Sequence, residues 1–151
     1  AASHGYICAL LGGEPGRTEL EMNNPLKILI AEDEKDIREL VGFTLTFGGY
    51  RVIEVADGKA AVAQTLAEHP DLVILDVRMP KMSGYEACQA LQALDETKDI
   101  PVVFLSAKGQ EMEVNRGLEM GAIAYILKPF APNELLEQVG KILQDAQEAR
   151  A

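Results

Sequence analysis

Cysteine is scarce: the chain holds two, Cys8 and Cys88, far apart and without a CxxC spacing. That count suggests neither a disulfide framework nor a zinc site, and it suits a reducing cytoplasm. Positive charge is in deficit too, with 14 Lys and Arg against 24 Asp and Glu and a formal net charge of −10. A nucleic-acid backbone would be repelled, so no direct nucleic-acid contact is expected. Long apolar runs are missing as well. The stretch at residues 6–11 (YICALL) is too short to span a bilayer and lacks the basic segment of a signal peptide. Membrane insertion and secretion are therefore not expected, and the predicted location is cytoplasmic. No internal repeat, coiled coil or low-complexity tract interrupts the sequence.

What remains is 151 residues at 48% hydrophobic composition, enough for one buried core. Residues 1–24 (AASHGYICALLGGEPGRTELEMNN) carry no sustained period and read as a leader, disordered or left by cloning, with Met22 as a candidate natural start. The domain is expected over 25–147, with a tail at 148–151. Within it, short apolar runs alternate with helical periodicity: KILIA (27–31), RVIEV (51–55), LVIL (72–75), VVFL (102–105) and AYIL (124–127). Runs apolar on consecutive residues call for a parallel sheet covered on both faces. Ile37, Leu40, Val41, Thr44 and Leu45 show the i, i+3, i+4, i+7, i+8 spacing of a helix, and Leu135, Leu136, Val139, Ile142 and Leu143 repeat it. Further helices are predicted over about 58–68, 84–94 and 110–119. The expectation is a flavodoxin-like, doubly wound α/β fold: a five-stranded parallel sheet in the order 2-1-3-4-5 with five flanking helices.

Ligands of such sheets bind beyond the carboxyl ends of the strands, near the switch in strand order. The residues predicted there are Glu32 and Asp33 after the first strand, Asp76 at the end of the third, Ser106 after the fourth and Lys128 after the fifth. Three converging carboxylates repel one another by several kcal/mol at low effective dielectric, so a cation or raised pKa values must relieve them. Oxygen-only donors point to Mg²⁺. A carboxylate on a rigid strand tip beside a metal and an ammonium suits in-line attack on a phosphoryl group, with Asp76 as nucleophile, Lys128 as a counter-charge and the Ser106 hydroxyl as a donor to the phosphoryl.

The stretches AEDE (31–34), DVRMPKMSG (76–84), SA (106–107) and KPF (128–130), in this order at these strand ends, resemble the receiver domain of two-component response regulators over residues 26 to about 145. The resemblance implies a stand-alone response regulator receiver that accepts a phosphoryl group on Asp76 from a histidine kinase or phosphotransfer protein. Its metal would be held by Glu32, Asp33, Asp76 and the main-chain carbonyl of Arg78. It also implies a switch in which Ser106 is drawn to the phosphoryl and Tyr125 rotates inward, changing the surface offered to a downstream protein target. Such a domain is a monomer or weak homodimer, and a phosphoacceptor switch, not a turnover enzyme. Glu32 stands where many members have Asp. Arg78 and Lys108, both cationic, occupy variable positions from which they would screen the phosphoryl from water.

Plainer readings stand beside these. Asp76 could be a solvated strand end, Glu32 and Asp33 the acidic start of a helix, Lys128 a surface lysine, Ser106 a helix cap and Tyr125 a static strand aromatic. Cys88 reads as core packing and His69 as a helix end. A haloacid-dehalogenase-type phosphatase would carry a second acid two residues after its nucleophile, where this chain has Arg78. A receiver-like scaffold without phosphorylation would have lost part of the acid and lysine set.

Overall fold

The computed structural model describes residues 25–107, 119, 121–128 and 130–150, with side chains as far as 148. Five strands alternate with helices: β1 (Lys27–Ala31), α1 (Lys35–Phe47), β2 (Arg51–Val55), α2 (Gly58–Glu68), β3 (Leu72–Asp76), α3 (Gly84–Gln92), β4 (Val102–Ala107), β5 (Ala124–Lys128) and α4 (Pro132–Arg150). All neighbouring strands pair in parallel, in the order β2-β1-β3-β4-β5. Fold, order and strand positions are those expected. Four of the five expected helices fall within the described residues. Residues 110–118 of the one expected over 110–119, the leader at 1–24, and Lys108 and Pro129 lie outside them.

The consecutive apolar residues of the strands divide between two cores because successive side chains leave a strand on opposite faces. Leu29 and Ala31 of β1 join Val73 and Leu75 of β3 and Phe104 of β4 under α2 and α3, where Ala61, Ala87, Cys88 and Leu91 complete the layer. Ile28, Ile30, Leu72, Ile74, Val103 and Leu105 face the other way, against Val41 and Leu45 of α1 and Leu135, Val139 and Leu143 of α4. Every residue of β3 is buried, including Asp76. The sheet's central strand thus carries its carboxylate out of a dry, close-packed interior.

Local chemistry sets the helix ends. Asp57 caps α2 by accepting the amide of Ala60 at 2.8 Å, and His69 closes that helix in the left-handed region at φ 47°. Ser83 and Glu86 form a reciprocal capping box at the start of α3. That helix ends two residues before the expected 94. The buried Thr97 hydroxyl donates to the Leu91 carbonyl at 2.6 Å and turns the chain away.

Gly84 matters for the functional end of the sheet. Its amide donates to the Val77 carbonyl at 2.8 Å. A Cβ there would collide with the Asp76 carbonyl oxygen and lie 2.9 Å from both the Asp76 carbonyl carbon and the Val77 Cα. These are backbone atoms that cannot rotate away. Gly84→Ala is expected to destabilise the domain by about 1–3 kcal/mol, read as a lower urea midpoint, whereas Ala93→Gly beyond the helix should stay within about 1 kcal/mol.

Candidate phosphoacceptor and cation site

The carboxyl ends of β1, β3, β4 and β5 meet at one edge of the sheet. Asp76 is the last residue of β3, and its register partner in β4 is Leu105, which places Ser106 one step further out on the neighbouring strand. Ser106 in turn pairs with Leu127, and Ala107 with Lys128. Glu32 follows β1, with its amide tied to the Val55 carbonyl at 3.1 Å and its own carbonyl held by the Arg38 guanidinium at 2.8 Å. The loop bearing Glu32 and Asp33 is therefore clamped to both β2 and α1.

Glu32, Asp33 and Asp76 each bring a carboxylate oxygen to within 4.8 Å of the others. Glu32 and Asp76 are buried and Asp33 is exposed, so the cluster opens to solvent on one side. The Lys128 ammonium reaches into it, 2.8 Å from Glu32 Oε1 and 3.5 Å from Asp76 Oδ1. The second Glu32 oxygen accepts the Glu34 amide at 3.2 Å. One ammonium against three carboxylates leaves an uncompensated negative site built only of oxygen donors. A hard divalent cation fits that donor set and charge.

The imbalance appears in the ionisation of the buried groups. Burial, reinforced by Asp76, pushes the Glu32 carboxyl from 4.5 up to about 7, against the lowering influence of Lys128 and the Glu34 amide. Burial alone would lower Lys128, but its hydrogen bond to Glu32 and the charge of Asp76 outweigh that cost and raise its pKa. Lys128 is thus a fixed cation at neutral pH.

Of the residues singled out by sequence, the structure gathers Glu32, Asp33, Asp76 and Lys128. Ser106 is buried at the adjoining strand end, where its hydroxyl donates to the Ala107 carbonyl at 3.1 Å. Arg78 follows Asp76 in the loop with an exposed side chain. Tyr125 sits outside the cluster, second in β5 and 47% exposed. Cys88 is packed in the core, where burial raises its thiol to about 11, and it takes no part. Sequence reasoning missed the direct Glu32–Lys128 pair and the Arg38 clamp. The signal for the first was the extra methylene of glutamate at position 32, which gives the carboxylate its reach.

The open parallel sheet and the acid and lysine cluster at its switch point define a class of signalling α/β domain. The response regulator receiver domain model matches residues 28–140, and this chain belongs to that family. Among curated relatives, the probable transcriptional regulator ycf27 of Cyanophora paradoxa is 42% identical over 80% of this chain and 49% of its own length. The phosphate regulon transcriptional regulatory protein PhoB of Escherichia coli is 42% identical over 78% of this chain and 52% of its own. The chain thus spans about half the length of these relatives. Among solved structures, a putative response regulator from Chloroflexus aurantiacus aligns with TM-score 0.75 and 35% identity over 80% of this chain and 98% of that one. The chemotaxis response regulator CheY4 of Vibrio cholerae aligns with TM-score 0.74 and 32% identity over 78% and 98%.

A carboxyl whose pKa is raised on folding stabilises the fold fully below its unfolded value and loses that contribution as pH climbs through the folded one. In metal-free protein, Glu32 is therefore expected to cost up to about 3 kcal/mol of stability between pH 4.5 and 7. Urea unfolding in chelator should show this fall, and Glu32→Gln should flatten it. An equal fall in the Gln variant would assign the slope to another group.

Proposed function

We propose that this receiver domain takes a phosphoryl group onto Asp76 from a phosphohistidine of a histidine kinase or phosphotransfer protein, and that the resulting aspartyl phosphate changes its affinity for a downstream protein target. The observation that carries the reading is the Asp76 carboxylate at the tip of a buried strand, 3.5 Å from Lys128 and inside a three-carboxylate cluster. An Asp76 oxygen forms the new bond to phosphorus while the phosphorus–nitrogen bond breaks, and the donor imidazole leaves with the electron pair. Rigid β3 holds the nucleophile so that little ordering remains to be done at the moment of transfer. Lys128 faces the developing charge on the phosphoryl oxygens.

Mg²⁺ is the cation proposed, held by Glu32, Asp33, Asp76 and the main-chain oxygen of Arg78, and when bound it supplies neutralisation of the phosphoryl oxygens. Ser106 then exchanges its present bond to the Ala107 carbonyl for one to the phosphoryl. Because Tyr125 lies on the adjacent β5, two residues before Leu127, the register partner of Ser106, a small shift of β4 at Ser106 can be read out there as inward rotation of the exposed ring. Arg78 and Lys108 lengthen the lifetime of the acyl phosphate by screening it from water.

The protein acts as a cytoplasmic phosphoacceptor switch, and no described helix is long and apolar enough to cross a membrane. With the domain's acidic charge, the output of the receiver region itself is a protein contact and not a nucleic-acid one, made as a monomer or weak homodimer. Its relatives supply two settings for that contact: transcriptional regulators of which the aligned region makes up about half and a chemotaxis response regulator of similar length to the aligned region. The stand-alone reading corresponds to the second.

Intact mass after incubation with acetyl phosphate should show one added phosphoryl group that requires both Mg²⁺ and Asp76. Asp76→Asn should remove the adduct. Lys128→Met should slow its formation by about tenfold or more. An adduct retained in Asp76→Asn would place the chemistry elsewhere, and beryllofluoride binding would identify a phosphate too short-lived to weigh.

A further inference from the structure

The loop 77–83, which carries Arg78, makes its sharpest turn at Lys81. The Met82 amide donates to the Pro80 carbonyl at 2.7 Å around Lys81, which lies at φ 67°. A three-residue turn with positive φ at a residue bearing a Cβ is strained and persists only where its surroundings hold it. Two such supports come from the start of α2. The Lys81 ammonium lies 3.7 Å from Asp57 Oδ2, and the Asp57 carboxylate is mostly buried while the lysine stem is exposed. Beside it, Gly58 lets the loop backbone approach so closely that a Cβ would collide with the Met82 carbonyl. Asp57 is already fixed as the cap of α2 through its other oxygen, on the Ala60 amide at 2.8 Å. A pre-ordered carboxylate gives the lysine a stationary partner, which spares the acid's share of the entropy that weakens ordinary surface pairs.

We propose that Asp57 and Lys81 form a brace that positions the 77–83 loop, and with it the main-chain oxygen of Arg78, against the carboxylate cluster. Both are positioning residues: neither is among the residues proposed to touch the cation or the phosphoryl group. The inference rests on the receiver-site reading, since it assigns the loop the task of presenting an oxygen to that site. The far end of the loop is already pinned at Gly84, where the helix start abuts the Asp76 backbone. The brace is its support at the turn.

Two variants isolate the pair. Asp57→Asn keeps the helix cap, because asparagine caps as well as aspartate, and Lys81→Met keeps the stem and the backbone strain while removing the charge. In metal-free protein, amide hydrogen exchange at Met82 and Gly84 should quicken about two- to fivefold in both variants. Their Mg²⁺ dissociation constants by calorimetry should rise by a similar factor, with unchanged urea midpoints. Lys81→Arg should retain wild-type values, and so should Lys98→Ala, which removes an exposed pair elsewhere. Unchanged exchange would overturn the brace, and faster exchange with unchanged Mg²⁺ affinity would overturn its positioning role. Wild-type protein that binds no Mg²⁺ would instead overturn the receiver-site reading, and with it the task assigned to the loop.

Discussion

Charge repulsion among Glu32, Asp33 and Asp76 is the constraint on which the functional end of this molecule depends. Carboxylate oxygens within 4.8 Å of one another, two of them on buried side chains, would disperse if their backbones were free to move. At an effective dielectric of about 20, each like-charged pair at such a distance costs roughly 3–4 kcal/mol. They stay together because strands β1 and β3 end there and are locked in parallel register along Ile28 to Ala31 and Leu72 to Leu75. The two apolar layers on either side of the sheet oppose that repulsion, each fully buried large side chain contributing about 1.5–3 kcal/mol. The interior therefore sustains a site that is unfavourable taken alone.

Lys128 is the internal relief. Its ammonium enters from β5 and bonds more closely to Glu32 than to Asp76, at 2.8 and 3.5 Å. Glutamate at position 32 thus acts in two ways. Its length lets it hold the lysine, and its burial, reinforced by Asp76, favours its protonated form. Either a proton or a divalent cation can relieve the excess charge, and the two compete for the same oxygens. Such a site is poised for a ligand that brings positive charge, and Asp76, the nucleophile of the proposed phosphoryl transfer, is anchored beside it.

The loops are built around that poise. Close backbone approaches at Gly84 and Gly58, the capping box of Ser83 and Glu86, and the Asp57–Lys81 pair hold the segment after Asp76 between α2 and α3. The Arg38 bond to the Glu32 carbonyl does the same for the segment after β1. The Ser106 hydroxyl donates to the neighbouring Ala107 carbonyl, and Tyr125 is half exposed on the edge strand β5.

Much of this was legible in the amino-acid order alone. Runs such as KILIA and LVIL are apolar on successive residues, and a strand buried on both faces needs that pattern, so the strands, the covering helices and the sheet order followed. The carboxylates were legible for the same reason: an acid directly after such a run must emerge where the strand leaves the core. Sequence spacing could not show which side chains touch once the strand ends converge. Lys128 is 96 positions from Glu32, and Asp57 and Lys81 sit on different crossover connections. Only the register of the sheet and the packing of α2 against α3 decided that these pairs meet. Helix ends also waited for tertiary contacts, as when Thr97 takes the Leu91 carbonyl and stops α3 early. Apolar periodicity is a local property written along the chain, whereas a pair distance depends on the summed path of everything folded between its members.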